Sequence, residues 1–216
     1  ESDVAKENNA IYNTTLELMK GYAAACLGRL SDIPTWLRTG DMSPAHFMYQ
    51  GLAFNYIVHG KAVLLSKDYI RLEMLTEESG QYFSVLSNQL GFLHNRILRA
   101  AAKCRLYGME AASSELRGAL DEAREDHIVL PFAEYAPSIL DMVRNIARSD
   151  PRDTYIQDVL RSCERYMESL KSAAKIEISL SAREIEILAL AAEGLKRDEI
   201  AGRLTISTGT VRTHLQ

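Results

Sequence analysis

The residues best equipped for chemistry lie at the end of the chain. On a helix whose Val211 and Leu215 face inward, Arg212, Thr213 and Gln216 are outward positions. A guanidinium fork matches the N7 and O6 of guanine, a carboxamide matches adenine, and a threonine methyl packs on the methyl of thymine. Just ahead of them, Lys196, Ser207, Thr208 and Thr210 carry an ammonium and three hydroxyls. Such groups hold phosphates and set register without reading sequence. A solvated helix face is the plain alternative for all seven. His214 has two readings, a phosphate contact or a packing role.

Other chemistry finds no pattern. His46, His59, His94 and His127 make no His-Glu-x-x-His or comparable ligand pairing. The serines lack a G-x-S-x-G setting, and no G-x-x-x-x-G-K-[ST] phosphate loop occurs. We therefore expect no catalytic residue, no bound metal and no cofactor in this chain. Cys26, Cys104 and Cys163 are odd in number and sit in helical patterns, so they read as reduced, buried thiols. A weaker candidate is aromatic. Trp36, Tyr49, Phe54 and Tyr56 lie close together in sequence and form a candidate ligand-binding set, with core packing as the alternative.

Three helices must position the terminal residues, and their caps are visible. Ser181 and Glu184 form an S-x-x-E capping box, after which Ile185, Leu188, Ala189 and Ala192 recur at helical spacing up to Gly194. A second helix carries Ile200, Ala201 and Leu204. Thr205 and Ile206 turn the chain, Ser207 caps a third helix, and Val211 and Leu215 face inward. Two short helices joined by such a turn make a helix-turn-helix, whose second helix enters the major groove.

The stretch LSAREIEILALAAEGLKRDEIAGRLTISTGTVRTHLQ resembles the LuxR-type helix-turn-helix. Leu180, Ser181, Arg183, Glu184, Glu186, Ile187, Leu188 and Gly194 fall in register, followed by Glu199, Ile200, Ala201 and Leu204. Ile206, Ser207, Thr210, Val211, Arg212, His214 and Leu215 complete the match. The resemblance implies base contacts from Arg212, Thr213 and Gln216. It also implies a fourth helix after Gln216, so the domain is expected to be truncated here. One position departs: Lys196 stands where the family has Ser or Thr, which removes a cap worth about 1 kcal/mol.

Everything before this motif reads as successive helices. They span about 8–27, 31–38, 43–59, 67–78, 83–107, 109–125, 137–148 and 153–174, with Ser79-Gly80 as a turn and a connector holding Pro131. In the first, Ile11, Leu16, Leu18, Met19, Tyr22, Ala23 and Cys26 are the expected inner positions. Ala100, Ala112, Leu116 and Ala119 stand where a tetratricopeptide-type pair wants small or apolar residues, which suggests a degenerate TPR-like α-solenoid. The strings Ile33-Pro34-Thr35-Trp36-Leu37 and Ala119-Leu120…Ala123…Leu130-Pro131-Phe132-Ala133-Glu134 resemble the helical-repeat region of MalT-like regulators, the ATP-dependent LuxR proteins. That resemblance implies an upstream ATPase domain outside this chain.

Composition agrees with a globular protein: 47% hydrophobic, 25% charged, net charge −4. No apolar run approaches the ~20 residues of a membrane span. The polar opening lacks a secretory signal, so a cytoplasmic location is expected, and a start on Glu1 rather than Met suggests a piece of a longer protein. Charge gives no global attraction to nucleic acid. Within the motif Arg183, Lys196, Arg197, Arg203 and Arg212 balance Glu184, Glu186, Glu193, Asp198 and Glu199.

The expectation is thus an all-α chain. Residues 1–175 form a helical-repeat (TPR-like) sensor or oligomerisation domain and 176–216 a partial LuxR-type helix-turn-helix. The expected function is bacterial transcriptional regulation through double-stranded DNA, controlled by a small-molecule or protein effector on the repeats and by self-association, with no membrane and no enzyme activity. The alternative is a protein-interaction scaffold of repeats without independent DNA binding.

Overall fold

A computed structural model describes residues 3–43, 45, 51–85, 87–175 and 181–215. Tyr49, Gln216, His46 and the start of the helix expected from 43 lie outside them. Among the described residues all regular structure is helical, and the chain divides into two compact units, Glu1–Lys171 and Ser172–Gln216. The first contains α1 (Asp3–Cys26), α2 (Thr35–Thr39), α3 (Gly51–Leu65), α4 (Tyr69–Val85), α5 (Gln89–Tyr107) and α6 (Met109–Arg124). It continues with α7 (Leu130–Glu134), α8 (Ala136–Ser149) and most of α9 (Thr154–Lys175).

Several boundaries follow from local chemistry. Gly28 ends α1 in the left-handed conformation, φ +71°. Pro131 and Pro137 occupy the first turns of α7 and α8, where a missing N–H costs nothing. Gly108 alone separates α5 from α6, and its φ of +93° permits the reversal. Lys103 meets Glu115 at 2.9 Å while Arg96 meets Glu122 at 3.4 Å, so these two helices run antiparallel. Ala100, Ala112, Leu116 and Ala119 are fully buried, as the small-residue spacing predicts for a close helix pair.

Three expectations are corrected. Ser79-Gly80 is not a turn: α4 runs through it, because the Ser79 hydroxyl is held by the Leu75 carbonyl and the Asn95 side chain of α5. The run from Phe83 to Tyr107 is two helices, not one. Asn88 caps α5 by accepting from the Gly91 N–H at 2.8 Å, and the Phe83 ring packs over Gly91, where a β-carbon would lie 2.3 Å from it. In α1 the buried stripe runs through Thr14, Leu18, Gly21 and Ala25, leaving Leu16, Met19 and Ala23 exposed. Packing at Gly21 sets this phase: a β-carbon there would sit 2.6 Å from Leu37, so only the glycine face fits against α2.

Among the described residues, the interior of the first unit holds one buried ion pair. Lys61 of α3 lies 2.8 Å from Glu134 of α7, with side-chain exposures of 4% and 6%. Glu134 also accepts from the Tyr22 hydroxyl of α1. The Lys61 ammonium stands 4.0 Å from the centroid of the Tyr135 ring, a cation–π contact, and the Tyr135 hydroxyl bonds His94 Nδ1 of α5 at 2.9 Å. Tyr166 of α9 donates to the Cys26 carbonyl of α1 at 2.7 Å. Residues from α1, α3, α5, α7 and α9 therefore meet in one polar layer, flanked by the aliphatic core of Leu72, Ile97, Leu116, Leu120, Ile139 and Val159.

Breaking such a pair from one side strands a charge. Lys61→Met is expected to destabilise the protein by about 3–5 kcal/mol in urea unfolding, and adding Glu134→Gln to recover much of that loss. Acid should also weaken the fold. Burial, reinforced by Lys61, lowers the His94 pKa to about 3. The unfolded chain takes up that proton near the ordinary ~6.5. Stability is therefore full above pH ~6.5 and falls as pH drops, by up to about 1.4 kcal/mol per pH unit. His94→Gln should flatten the change in Tm between about pH 7 and 5, above most carboxylate titration.

Candidate nucleic-acid interface

The second unit carries α10 (Ala182–Ala192), α11 (Arg197–Leu204) and α12 (Thr208–His214). The predicted capping box at Ser181 is complete. Its side chain accepts from the Glu184 N–H, and the Glu184 carboxylate accepts from the Ser181 N–H at 2.7 Å. These bonds hold the Glu184 carboxyl below its usual range. Gly194, φ +86°, follows the helix end. α11 has no side-chain acceptor at its N-cap, since the Lys196 ammonium has no lone pair. The Glu199 carboxylate supplies a return bond to the Lys196 N–H at 2.7 Å. The expected missing cap is real and partly compensated.

Ile187, Ile200, Ala201 and Val211 are buried together, with Leu190, Leu195, Leu204, Ile206 and Leu215 around them. The expected face of α10 is corrected here. Ile185 and Leu188 are 55% and 41% exposed, Ala189 and Ala192 are exposed, and Ile187 is the inward residue. α10 is apolar on two sides, so periodicity alone does not choose between them. The branched side chains of Ile200 and Val211 do, by close packing against Ile187.

The turn before α12 is held from three directions. Thr205 adopts the left-handed conformation, φ +52°, and the Ile206 N–H bonds the Ala201 carbonyl at 3.0 Å. Arg183 of α10 donates to the Leu204 carbonyl at 2.6 Å while pairing with Glu186 at 2.8 Å. The sequence identifies Arg183 only as a motif position and a charge. Its bond spans 21 residues, which no local pattern shows. His214 lies 3.9 Å from Glu184, so it faces α10.

With Val211 fixed inward, the outer face of α12 is set. Arg212 and Thr213 are exposed on it, and the Arg212 guanidinium has no ion pair or hydrogen bond among the described residues. The Thr213 hydroxyl donates back to the Gly209 carbonyl at 3.1 Å, which leaves its methyl as the outward contact. Ser207 caps α12, accepting from the Thr210 N–H at 3.0 Å, and the two hydroxyls bond each other at 2.8 Å. Thr208 and Lys196 are exposed. Among the cations, Arg183 and Arg203 are drawn to Glu186 and Glu193, whereas Lys196, Arg197 and Arg212 form no ion pair among the described residues. The balanced charge count thus conceals free cations at the start of α11 and on α12.

The aromatic candidates are dispersed. Phe54 packs on Tyr22 at 5.1 Å between centroids, Trp36 donates to Glu17 at 2.6 Å beside one cleft, and Tyr56 stacks on Tyr82 beside another. Among the described residues no cluster has metal-ligand geometry, and no helix is long and apolar enough to cross a membrane.

Arg183→Met leaves the Leu204 carbonyl without its charged donor. We expect a loss of about 1–2 kcal/mol in the stability of the second unit. Hydrogen exchange should accelerate at Thr205 and Ile206 and leave the first unit unchanged.

No curated protein and no solved structure matches the chain. Residues 178–216 match the model of the bacterial regulatory proteins, luxR family. The match covers the capping box, the strained turn and the exposed face of α12 together. This chain therefore carries, at residues 178–216, a helix-turn-helix domain of the luxR family, the DNA-binding module of bacterial regulatory proteins.

Proposed function

We propose that the protein is a bacterial transcriptional regulator whose α12 enters the major groove. The observation that carries this reading is the Arg212 guanidinium, unpaired among the described residues, on the outer face of α12 within a domain that matches the luxR family. Arg212 reads a guanine edge, the Thr213 methyl packs on thymine, and Gln216 is assigned the next base by its place in the motif. Lys196, Ser207, Thr208 and Thr210 fix register on phosphates; of the bonded Ser207 and Thr210 hydroxyls, the one that accepts their mutual bond keeps its proton to donate.

The first unit is read as the part that takes an effector, and self-association then brings recognition helices onto adjacent half-sites. Its support is the MalT-like strings at 33–37 and 130–134, together with the tight antiparallel pair of α5 and α6. On the same resemblance, nucleotide hydrolysis belongs to a separate domain, and the regulator works where the chromosome is, in the cytoplasm.

Mobility-shift titration on DNA selected by the protein from a random pool tests the assignment. Arg212→Ala should weaken specific binding by about 1–3 kcal/mol and relax selection at one base pair. Lys196→Ala should weaken all sequences alike and lower the salt slope by about 1. Equal loss on specific and random DNA for Arg212→Ala would contradict the base-reading role.

A further inference from the structure

The first unit contains a cleft that serves no part of the DNA-facing surface. α2, α3 and α4 surround about 580 Å³, the size of a small-ligand site, with Gly40, His59, Arg71, Met74, Leu75 and Glu78 in its wall. α4 presents Arg71, Met74, Leu75 and Glu78 at i, i+3, i+4 and i+7, on one face. A rise of ~1.5 Å per residue sets the Arg71 and Glu78 backbones about 10 Å apart along the axis, and among the described residues the two form no ion pair.

His59 forms the floor and is 4% exposed. Its Nδ1 lies 2.5 Å from the Leu37 carbonyl. A carbonyl only accepts, so Nδ1 carries the proton. Burial holds the ring in its neutral form, which makes Nε2 an acceptor. Nε2 has no partner among the described residues. Gly40, φ +76°, lines the cleft beside that nitrogen, and only a glycine fits there: a β-carbon at position 40 would stand 2.8 Å from it.

The two charges flank this floor and both act on the His59 ring. One Arg71 nitrogen donates to the Thr39 carbonyl at 2.7 Å, which fixes the guanidinium at the rim with its other donors unused among the described residues. Glu78 makes no hydrogen bond or ion pair among the described residues. Asp68 also lines the cleft as a second carboxylate, accepting from the Arg71 backbone N–H at 3.1 Å through one of its oxygens. Between the charges lies an apolar wall, and Ile70 and Met74 at the mouth are each 67% exposed.

We propose that this cleft binds a small zwitterion with an apolar middle, of the size and charge spacing of an apolar tripeptide with free ends. Its carboxylate meets Arg71, its ammonium meets Glu78, and a peptide N–H donates to His59 Nε2. At ~3.3–3.6 Å per residue, an extended tripeptide places its termini about 7–10 Å apart, the separation that α4 provides. The inference deepens the reading of the first unit as an effector-binding region and rests on it.

Calorimetry on the chain with Ala-Leu-Ala, Ala-Met-Ala and Ala-Phe-Ala tests it, each with free ends, N-acetylated and C-amidated. At least one free peptide should bind with a sub-millimolar Kd, and blocking either end should weaken it about tenfold or more. Arg71→Met should erase the difference between acid and amide, and Glu78→Gln the difference between amine and acetyl. Both side chains are exposed, so neither change disturbs the core. No binding by any peptide at about 5 mM, or equal binding by blocked and free forms, would overturn the proposal. DNA binding is a separate readout: a protein that binds operator DNA but no peptide contradicts only this inference.

Discussion

The first unit is organised by the need to satisfy Lys61 in its interior. An ammonium that is 4% exposed is tolerable only beside an opposite charge, and Glu134 supplies it at 2.8 Å. Once that carboxylate is required, α7 must come close to α3, Tyr22 must reach it from α1, and Tyr135 must lie under the ammonium. His94 then has to stay neutral, and its bond to Tyr135 draws α5 into the same layer. Aliphatic packing supplies most of the burial, but helices packed only through alanine and leucine slide more readily than helices pinned by directional bonds.

The same logic appears at smaller scale in the second unit. Ile187, Ile200 and Val211 close a core too small to hold α12 at one angle by itself. Directional bonds complete the positioning: the Ser207 cap, the Ile206 N–H on Ala201, and the Arg183 bond to Leu204. Together they present Arg212 on a preset helix face, so little ordering is left for the moment of binding.

Much of this was legible along the chain because caps and breakers act locally. Ser181 with Glu184, Ser207, Gly28, Gly108 and Pro137 declare themselves within four residues, whereas Pro131, read as part of a connector, opens the short helix α7. Helix phase was harder. α1 and α10 carry apolar residues on more than one side, and the choice fell to Gly21 against Leu37 and to Ile187 against Val211, contacts between distant segments. The α4–α5 boundary was missed because Ser79-Gly80 imitates a turn, while the true break at Ser87 and Asn88 lacks glycine or proline. Arg183, the Lys61–Glu134 pair and the cleft around His59 depend wholly on tertiary placement. Arg183 and Glu134 appear in the sequence as positions of quoted strings, but nothing local shows their partners.

The central claim is that α12 reads base edges in the major groove. Methylation interference on DNA that the protein has selected tests it most directly, since a methyl on guanine N7 blocks the major-groove edge and leaves phosphates untouched. The account predicts that N7 methylation at one or more guanines of the selected site abolishes binding, and that Arg212→Ala loses sensitivity at one of them. Interference confined to minor-groove adenine methylation, or none at any base, would contradict it.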